Sequence, residues 1–165
     1  GGTGPVGVAS AVICAKAGAN VTLVGRSLEK AEKIAGICND RYDSKNVKGG
    51  ADADKSDFFN VADIVLNTGA AGIQLMSEEH IKNSNSLKIC ADTNAVPPSG
   101  IAGVDVMDNG KVIDMSPSKC LGIGALAIGN IKYKSQHECL KLMYTSEKPV
   151  YLDFEDAFKF AQKSV

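Results

Sequence analysis

The sequence predicts an α/β fold with helices on both faces of a mostly parallel sheet, and two observations lead to this prediction. The first is the glycine loop Gly2-Thr3-Gly4-Pro5-Val6-Gly7, whose spacing is G-x-G-x-x-G. The second is its context, because residues 6–17 have the composition of a helix closed by Gly18, and residues 20–24 have that of a buried strand. Loop, helix and strand in this order form half of a βαβ unit. We therefore expect a doubly wound, Rossmann-like domain.

The predicted domain spans residues 1–165, which with 44% hydrophobic residues suffice for a single domain with a sizeable core. A βαβ unit of this kind begins with a strand, and that strand would precede Gly1. After Gly25, the patterns predict an alternation of helices and strands, interrupted by one hairpin. The predicted helices cover 28–40, 55–62, 122–142 and a segment capped by Asp153; the strands cover 63–68, 87–91, 103–107 and 111–114, with a polar connection at 41–48 and a turn at 108–110.

Each glycine of the loop has a separate task in a dinucleotide site. Gly2 makes the tight turn, Gly4 allows the backbone to approach a pyrophosphate, and Gly7 allows the helix to pack closely. Pro5 suits the first turn of a helix, where its missing N–H has no intrahelical partner. The N-terminus of that helix favours a pyrophosphate group, so Gly2, Thr3, Gly4, Pro5, Val6 and Gly7 are all candidate cofactor contacts. The alternative is a strand-to-helix turn that binds nothing.

The end of the second strand indicates which dinucleotide to expect. An acidic residue there would hold the ribose 2′-hydroxyl of NAD, but the segment reads Val24-Gly25-Arg26-Ser27. Arg26 offers a fork of donors that matches phosphate oxygens. Ser27 can cap the next helix, and Lys30 lies one turn further along. We therefore predict NADP, with NAD as a weaker substitute; the alternative is a solvated arginine beside an ordinary helix cap.

Polar groups also follow two later strands, where the carboxyl edge of the sheet is expected. Thr68, Gly69 and Ala70 follow one strand, and ligands of open α/β sheets bind along this edge. Asp92 and Asn94 follow the next strand, in a loop that Pro97 and Pro98 stiffen. We predict that these residues contact the cofactor. A helix-entry loop and a turn stabilised by Asx side chains remain the alternatives.

Composition argues against several other classes of function. A formal net charge of −1 and a pI near 6.1 give no electrostatic reason to expect a nucleic acid or a membrane surface as partner. The five cysteines include no C-x-x-C pair, which favours small core residues in a reducing compartment, and we expect a cytoplasmic protein. His80 and His137 have no neighbour at metal-ligand spacing, so no metal is expected.

Five segments together resemble one enzyme family. They are the glycine loop, residues 25–31, the stretch Thr-Gly-Ala-Ala-Gly at 68–72, the Asn-Ala-Val-Pro-Pro loop within 91–98, and the Gly-Ile-Gly-Ala-Leu stretch within 122–132. In this order they are similar to the NADP-dependent methylene-tetrahydromethanopterin dehydrogenases of methylotrophic bacteria. The last two segments are the most distinctive. In that family a separate amino-terminal domain carries much of the pterin site, so the chain would correspond to the carboxyl-terminal, cofactor-binding part.

The resemblance implies an oxidoreductase of one-carbon (formaldehyde) metabolism. The methylene bridge of the pterin would be oxidised to the methenyl cation, with direct hydride transfer to the nicotinamide. Flanking pterin nitrogens stabilise this cation, so the protein mainly orients two rings. The resemblance implies that Lys132 faces the pterin and helps to position it. The sequence around Lys132 alone indicates a solvated lysine on a helix. We also expect a homo-oligomer.

Two alternative functions remain at this stage. Shikimate dehydrogenase and glutamyl-tRNA reductase use a similar domain with an arginine after the second strand, although their characteristic loops do not match residues 94–98. The other alternative is a module that senses NADP without turnover. Because one fold serves many functions, the fold alone does not decide among them.

Overall fold

The computed structural model describes residues 1–164, which form six helices, six strands and one short 3₁₀ turn. The helices are α1 (Pro5–Lys16), α2 (Leu28–Tyr42), α3 (Lys55–Val61), α4 (Glu78–Asn83), α5 (Ala125–Thr145) and α6 (Phe154–Gln162). The strands are β1 (Val21–Gly25), β2 (Val47–Ala51), β3 (Ile64–Asn67), β4 (Ile89–Asp92), β5 (Asn109–Val112) and β6 (Leu121–Ile123). The 3₁₀ turn, Asp52–Asp54, precedes α3.

The strands form two hydrogen-bonded groups, and all pairs but one are parallel. β1 pairs with β2, and the other four strands have the order β3-β4-β6-β5. Only β5 runs antiparallel, at the outer edge. Helix α2 connects the parallel strands β1 and β2, and α4 lies between β3 and β4, as the βαβ pattern requires, whereas the connection from β4 to β6 contains β5 and no helix. The predicted Rossmann-like α/β class is confirmed.

Each group of strands has its own apolar core. The first core lies between α1, α2 and the β1–β2 pair, and its buried members include Val12, Leu23 and Ala35. The second core lies around β4 and includes Ile81, Leu87 and Ile101. These side chains are no more than 3% exposed, so both halves of the domain are held by ordinary burial of aliphatic surface.

The helix starts confirm the predicted caps. Pro5 occupies the first turn of α1 after Gly4, and the Ser27 hydroxyl accepts a hydrogen bond from the N–H of Lys30 at 3.3 Å in α2. Asp153 caps α6 and accepts from the N–H of Glu155 at 2.9 Å. These side chains satisfy N–H groups that would otherwise lack partners in the first helical turn.

The sequence patterns missed strand β2. The predicted polar connection at 41–48 is wrong at both ends, because α2 continues to Tyr42 and β2 begins at Val47. The glycines of β2 disfavour a strand by propensity, but a Cβ at Gly49 would overlap the backbone of α2 at Glu32. Close packing of α2 on the sheet therefore decides this strand, and local propensity does not.

The region before α5 also differs from the sequence prediction. Residues 103–107 form turns instead of a strand, because the carboxylate of Asp108 accepts a hydrogen bond from the N–H of Asp105 at 2.8 Å. The predicted turn at 108–110 is wrong too, since β5 begins at Asn109. The Gly122 segment, which we predicted as the start of a long helix, is instead strand β6, and α5 starts at Ala125.

The two groups of strands face each other across a groove. No pairing joins β1 to β3, and the two strands line a cavity of about 740 Å³. The predicted strand at 63–68 is present as β3 but is less buried than expected, since Ile64 is 53% and Leu66 43% exposed. Among residues 1–164, no helix has both the length and the apolar character needed to cross a membrane.

Candidate nucleotide-binding site

The glycine loop is folded tightly between the end of β1 and the start of α1. The N–H of Gly2 donates to the carbonyl of Val24 at 3.0 Å, and the N–H of Gly4 donates to the carbonyl of Gly1 at 3.2 Å. A Cβ at Gly7 would overlap the carbonyl oxygen of Gly2, so only glycine allows this turn to close. The predicted close approach at Gly7 therefore exists, but the first contact is the loop itself and not the sheet.

The middle of the loop is open on the side where a ligand would approach. The nearest atom to a Cβ built at Gly4 is the Gly1 carbonyl oxygen at 3.5 Å, an ordinary contact. Pro5 and Val6 are exposed, and the Val6 side chain is 58% accessible. Because the first N–H groups of α1 have no intrahelical acceptor, this surface presents backbone donors of the kind that bind pyrophosphate.

A second, positively charged cavity lies next to the loop. Its volume is about 350 Å³, and it is lined by Thr3, Arg26, Ser27 and Lys30. Thr3 reaches this place because its methyl group packs over Gly25, where a Cβ would come within 2.8 Å of it. The two cationic side chains and the first turn of α2 surround the cavity, and its lining contains no carboxylate. The structure therefore brings together Arg26, Ser27 and Lys30, on which the prediction of NADP rests.

Thr68, Gly69 and Ala70 lie at the carboxyl end of β3, as predicted. The Thr68 hydroxyl donates to the carbonyl of Gly1 at 3.1 Å, which ties this loop to the glycine loop. The N–H of Gly69 donates to the side chain of Asn67 at 3.0 Å. The carbonyl of Ala70 accepts from Ile73 at 3.3 Å in the turn that follows. This segment thus borders the glycine loop at the sheet edge where ligands of this fold bind.

Asp92 has a different environment from the one predicted. It is 1% exposed, and one carboxylate oxygen accepts from the Asn67 amide at 2.7 Å and from the N–H of Asn94 at 3.0 Å. The other oxygen accepts from the N–H of Ile101 at 3.0 Å. A buried carboxylate with three donors holds the backbone around it and offers no free surface to a ligand. The structure therefore favours the turn-stabilising alternative for Asp92.

Asn94 continues this network toward the neighbouring loop. Its side-chain oxygen accepts from the N–H of Val96 at 2.9 Å and from the N–H of Gly72 at 3.2 Å, and its amide donates to the carbonyl of Pro98 at 2.9 Å. Asn94 is 5% exposed. It joins the loop after β4 to the loop after β3, so here too the Asx-turn alternative is favoured over contact with a cofactor.

Asn67 is a residue of this site that sequence reasoning missed. It is 5% exposed, ends β3, and stands opposite Asp92 in the parallel register of β3 and β4. The side-chain NH₂ group of Asn67 donates to the carboxylate of Asp92, and its side-chain oxygen accepts from the N–H of Gly69. The available signal was a polar residue in the last position of each of two neighbouring strands, because parallel strands bring those positions together.

Lys132 lies in the second turn of α5 and is exposed. It lies seven positions after Ala125, the first residue of the helix, which corresponds to about 10 Å along the helix axis. It lines neither of the two cavities described above. Its catalytic role stays a prediction that the geometry of this domain does not test.

Other reactive side chains lie away from this edge. All five cysteines are free thiols, and burial raises the pKa of Cys14 and Cys38. His80 belongs to the cap of α4, where its Nδ1 accepts from the N–H of Ser77 at 3.0 Å. In the described part of the chain, no group of three His, Cys, Asp or Glu side chains is arranged to hold a metal ion.

These features define the class of the protein, which is a Rossmann-like α/β domain with a glycine loop and a cationic cavity at the edge where this fold takes dinucleotides. The chain is related over nearly its whole length to methylenetetrahydromethanopterin dehydrogenase, in agreement with the resemblance in its motifs. It is 38% identical over 164 residues to the NAD(P)-dependent enzyme of that name from Methylorubrum extorquens, covering 98% of this chain and 54% of the relative.

A second relative comes from the same organism. The chain is 37% identical over 149 residues to the bifunctional protein MdtA of Methylorubrum extorquens, covering 88% of this chain and 50% of that protein. The chain thus spans about half the length of the curated relatives it matches. No family model matches the chain.

Proposed function

We propose that this domain binds NADP and that the protein uses it to oxidise methylene-tetrahydromethanopterin to the methenyl form. The cationic cavity next to the glycine loop carries the proposal, because it combines Arg26, Lys30 and the first turn of α2 where an NAD enzyme would have an acidic residue. The name of the 38% identical relative gives the same cofactor class and the pterin substrate.

The residues at this edge fit the cofactor in shape and in charge. The glycine loop leaves its outer surface open beside the N-terminus of α1, which suits a pyrophosphate. Arg26 and Lys30 would hold a 2′-phosphate, and Ser27 fixes the helix turn between them. When bound, the nicotinamide supplies the hydride acceptor, so a two-electron oxidation needs no metal. NAD, which lacks the 2′-phosphate, would be the weaker substitute.

The loops after β3 and β4 have a positioning task in this proposal. Thr68 and Gly69 border the glycine loop, and the buried Asn67–Asp92 pair fixes the backbone from which they extend. A fixed loop excludes water and orients the ribose and nicotinamide, so that orientation supplies much of the catalysis. Lys132 would act on the pterin side, where an ammonium group can orient a substrate carbonyl.

The test is an assay of the intact protein with methylene-tetrahydromethanopterin and NADP, followed by the absorbance of NADPH. We expect reduction of NADP that is faster than reduction of NAD, with methylene-tetrahydrofolate as the substrate control. Binding of NADP without any turnover would contradict the dehydrogenase and favour a sensing module. Turnover of a shikimate-type or glutamyl-tRNA-type substrate would contradict the pterin assignment.

We further propose that the protein is cytoplasmic and assembles as a homo-oligomer. Five free thiols suit a reducing compartment, which supports the first part. The second part is supported by large apolar side chains exposed on α5, where Tyr133, Leu140 and Tyr144 are 72%, 64% and 92% accessible. Sedimentation of the intact protein tests the assembly, and a monomer at micromolar concentration would contradict it.

A further inference from the structure

The carboxyl edge of the sheet changes in charge from one side to the other. After β1 and β2, the charged residues that line the two cavities are Arg26, Lys30, Asp52 and Lys55. The segments that follow the neighbouring strands β3, β4 and β6 contain no charged residue over 68–77, 93–104 and 124–131. Charged residues make up 22% of the chain, so three uncharged segments at adjacent strand ends set this part of the edge apart.

Two apolar side chains are exposed on the uncharged loops after β3 and β4. Ile73 and Val96 are each 51% exposed. Their loops are in contact, because a Cβ built at Gly72 would lie 3.6 Å from the carbonyl oxygen of Pro97 and 3.9 Å from a methyl group of Val96. The two side chains therefore belong to one surface, which we call the apolar rim.

Hydrogen bonds hold both loops of the apolar rim in place. The side-chain oxygen of Asn94 accepts one N–H from each loop. Further along, the N–H groups of Leu75 and Met76 donate to the carbonyl of Gly100 at 2.8 and 3.0 Å. The rim is thus a fixed surface, and a ligand that meets it does not have to order the loops first.

Asp92 carries the carboxylate that precedes the rim in sequence, four residues before Val96. It is 1% exposed, and N–H donors from Asn67, Asn94 and Ile101 surround it. These donors oppose its charge, and none of its surface is left for an ion pair with a ligand. The rim therefore offers a ligand no anionic partner.

The order of the parts in a dinucleotide indicates which part would meet the apolar rim. The pyrophosphate, in the middle of the molecule, would lie at the glycine loop, and the 2′-phosphate of the adenosine would lie in the cationic cavity after β1. The nicotinamide is at the opposite end, so it would extend to the other side of the glycine loop. On that side the Thr68 hydroxyl donates to the carbonyl of Gly1, and the loops after β3 and β4 follow.

We propose that the apolar rim makes this site bind the reduced nicotinamide more tightly than the oxidised one, an inference that rests on the proposed NADP function. The oxidised ring carries a positive charge, whereas the reduced ring is neutral. A surface that removes water from the ring without supplying an anion disfavours the charged form. The rim residues Ile73 and Val96 thereby act on the redox state of the cofactor and not only on its position.

This preference favours the direction of the proposed reaction. A hydride, which is one proton and two electrons, leaves the methylene bridge of the pterin and joins the nicotinamide. The positive charge therefore passes from the nicotinamide to the pterin, where the flanking nitrogens stabilise it. Tighter binding of the neutral nicotinamide shifts the equilibrium of this transfer toward the oxidised pterin.

The test measures the Kd values of three ligands for the intact protein in the absence of pterin. The ligands are NADP, NADPH and 2′-phospho-ADP-ribose, which has the adenosine end but no nicotinamide. Val96→Asp adds a carboxylate to the rim, and Val96→Asn is its uncharged control of the same shape. Val61→Asp adds the same charge at the opposite edge of the sheet, since Val61 ends α3 just before β3 and is 76% exposed.

We expect the wild type to bind NADPH about threefold or more tightly than NADP. Val96→Asp should lower the ratio of the NADP Kd to the NADPH Kd by about threefold or more relative to Val96→Asn, because the carboxylate then pairs with the cationic ring. Repulsion of the phosphates cancels in this ratio, since both dinucleotides carry the same phosphates. Val61→Asp should leave the ratio unchanged. Ile73→Asp and Ile73→Asn repeat the comparison on the other loop, in case the change at Val96 distorts its own loop.

Equal Kd values for NADP and NADPH in the wild type, or tighter binding of NADP, would overturn the inference. Equal ratios in the Asp and Asn variants at both positions would overturn it as well. In either case, binding of 2′-phospho-ADP-ribose would show that the adenosine end is recognised and that the proposed NADP function stands. A wild type that binds none of the three ligands would instead contradict both proposals.

Discussion

Replacing Arg26 by alanine should weaken the binding of NADP and leave that of NAD almost unchanged. The guanidinium lines a cavity whose other cation is Lys30, and it is the only arginine there. A charge-assisted hydrogen bond to phosphate contributes about 1.5 to 3 kcal/mol. Because the cavity is open to solvent, the lower limit of this contribution falls to about 1 kcal/mol. We expect a loss of about 1 to 3 kcal/mol, which is about a 5- to 150-fold rise in the Kd for NADP.

Titration calorimetry with NADP and NAD, at low and at high salt, measures this effect. The matched control is Arg41→Ala, since Arg41 is the only other arginine in the sequence and lies over the ring of Tyr42 at 5.5 Å, outside the cavity. Lys30→Ala should cost less than Arg26→Ala, because a flexible ammonium binds phosphate as a point charge without the paired donors of a guanidinium. The loss should shrink as salt screens the exposed charges.

Three results would refute the reasoning. Equal losses for NADP and NAD would show that Arg26 supports the fold of the site and does not recognise the 2′-phosphate. An equal loss in Arg41→Ala would show that the effect comes from net charge alone. An unchanged Kd for NADP in Arg26→Ala, with thermal stability preserved, would place the 2′-phosphate elsewhere.

The remaining predictions concern the loops and the caps. Gly7→Ala should abolish measurable nucleotide binding and destabilise the fold by about 1 to 3 kcal/mol, because the new Cβ overlaps the Gly2 carbonyl. The matched control is Gly36→Ala in α2, where nothing lies within 4 Å of a new Cβ. This change should raise the free energy of unfolding in urea by about 0.5 to 1 kcal/mol. Asp92→Asn should lower the free energy of unfolding by about 1.5 to 3 kcal/mol, since an amide donor then faces buried donors, whereas the exposed Asp114→Asn should change it by less than about 0.5 kcal/mol. Burial, and then the nearby charge of Lys55, lowers the pKa of His80 below 6.5. As the pH falls below 6.5, the unfolded state therefore binds more protons than the folded state. The wild type should lose stability in that range and keep its full stability above it. His80→Gln keeps a capping side chain that does not titrate, so its unfolding free energy should lose this part of the pH dependence, and an identical dependence in both proteins would contradict the assignment.

Much of the fold could be predicted from local patterns. The helix starts at Pro5, Ser27 and Asp153 are fixed by side-chain and backbone chemistry within one turn, so the sequence suffices to find them. β2 could not be found in this way, because its glycines occupy positions where a neighbouring element packs too closely for a Cβ, as at Gly49 against the backbone of α2. β6 has only three residues, and its pairing with β4 and β5 defines it.

The candidate site divides in the same manner. The glycine loop and Arg26 belong to a contiguous pattern, and the sequence alone determined their place at the start of α1 and at the end of β1. The roles of Asp92 and Asn94 depend on partners 25 and 22 residues away, Asn67 and Gly72, which only parallel pairing of β3 with β4 brings within hydrogen-bond distance. Backbone conformation is set by neighbours in sequence, whereas burial and the pairing of polar side chains are properties of segments that meet only when the chain folds.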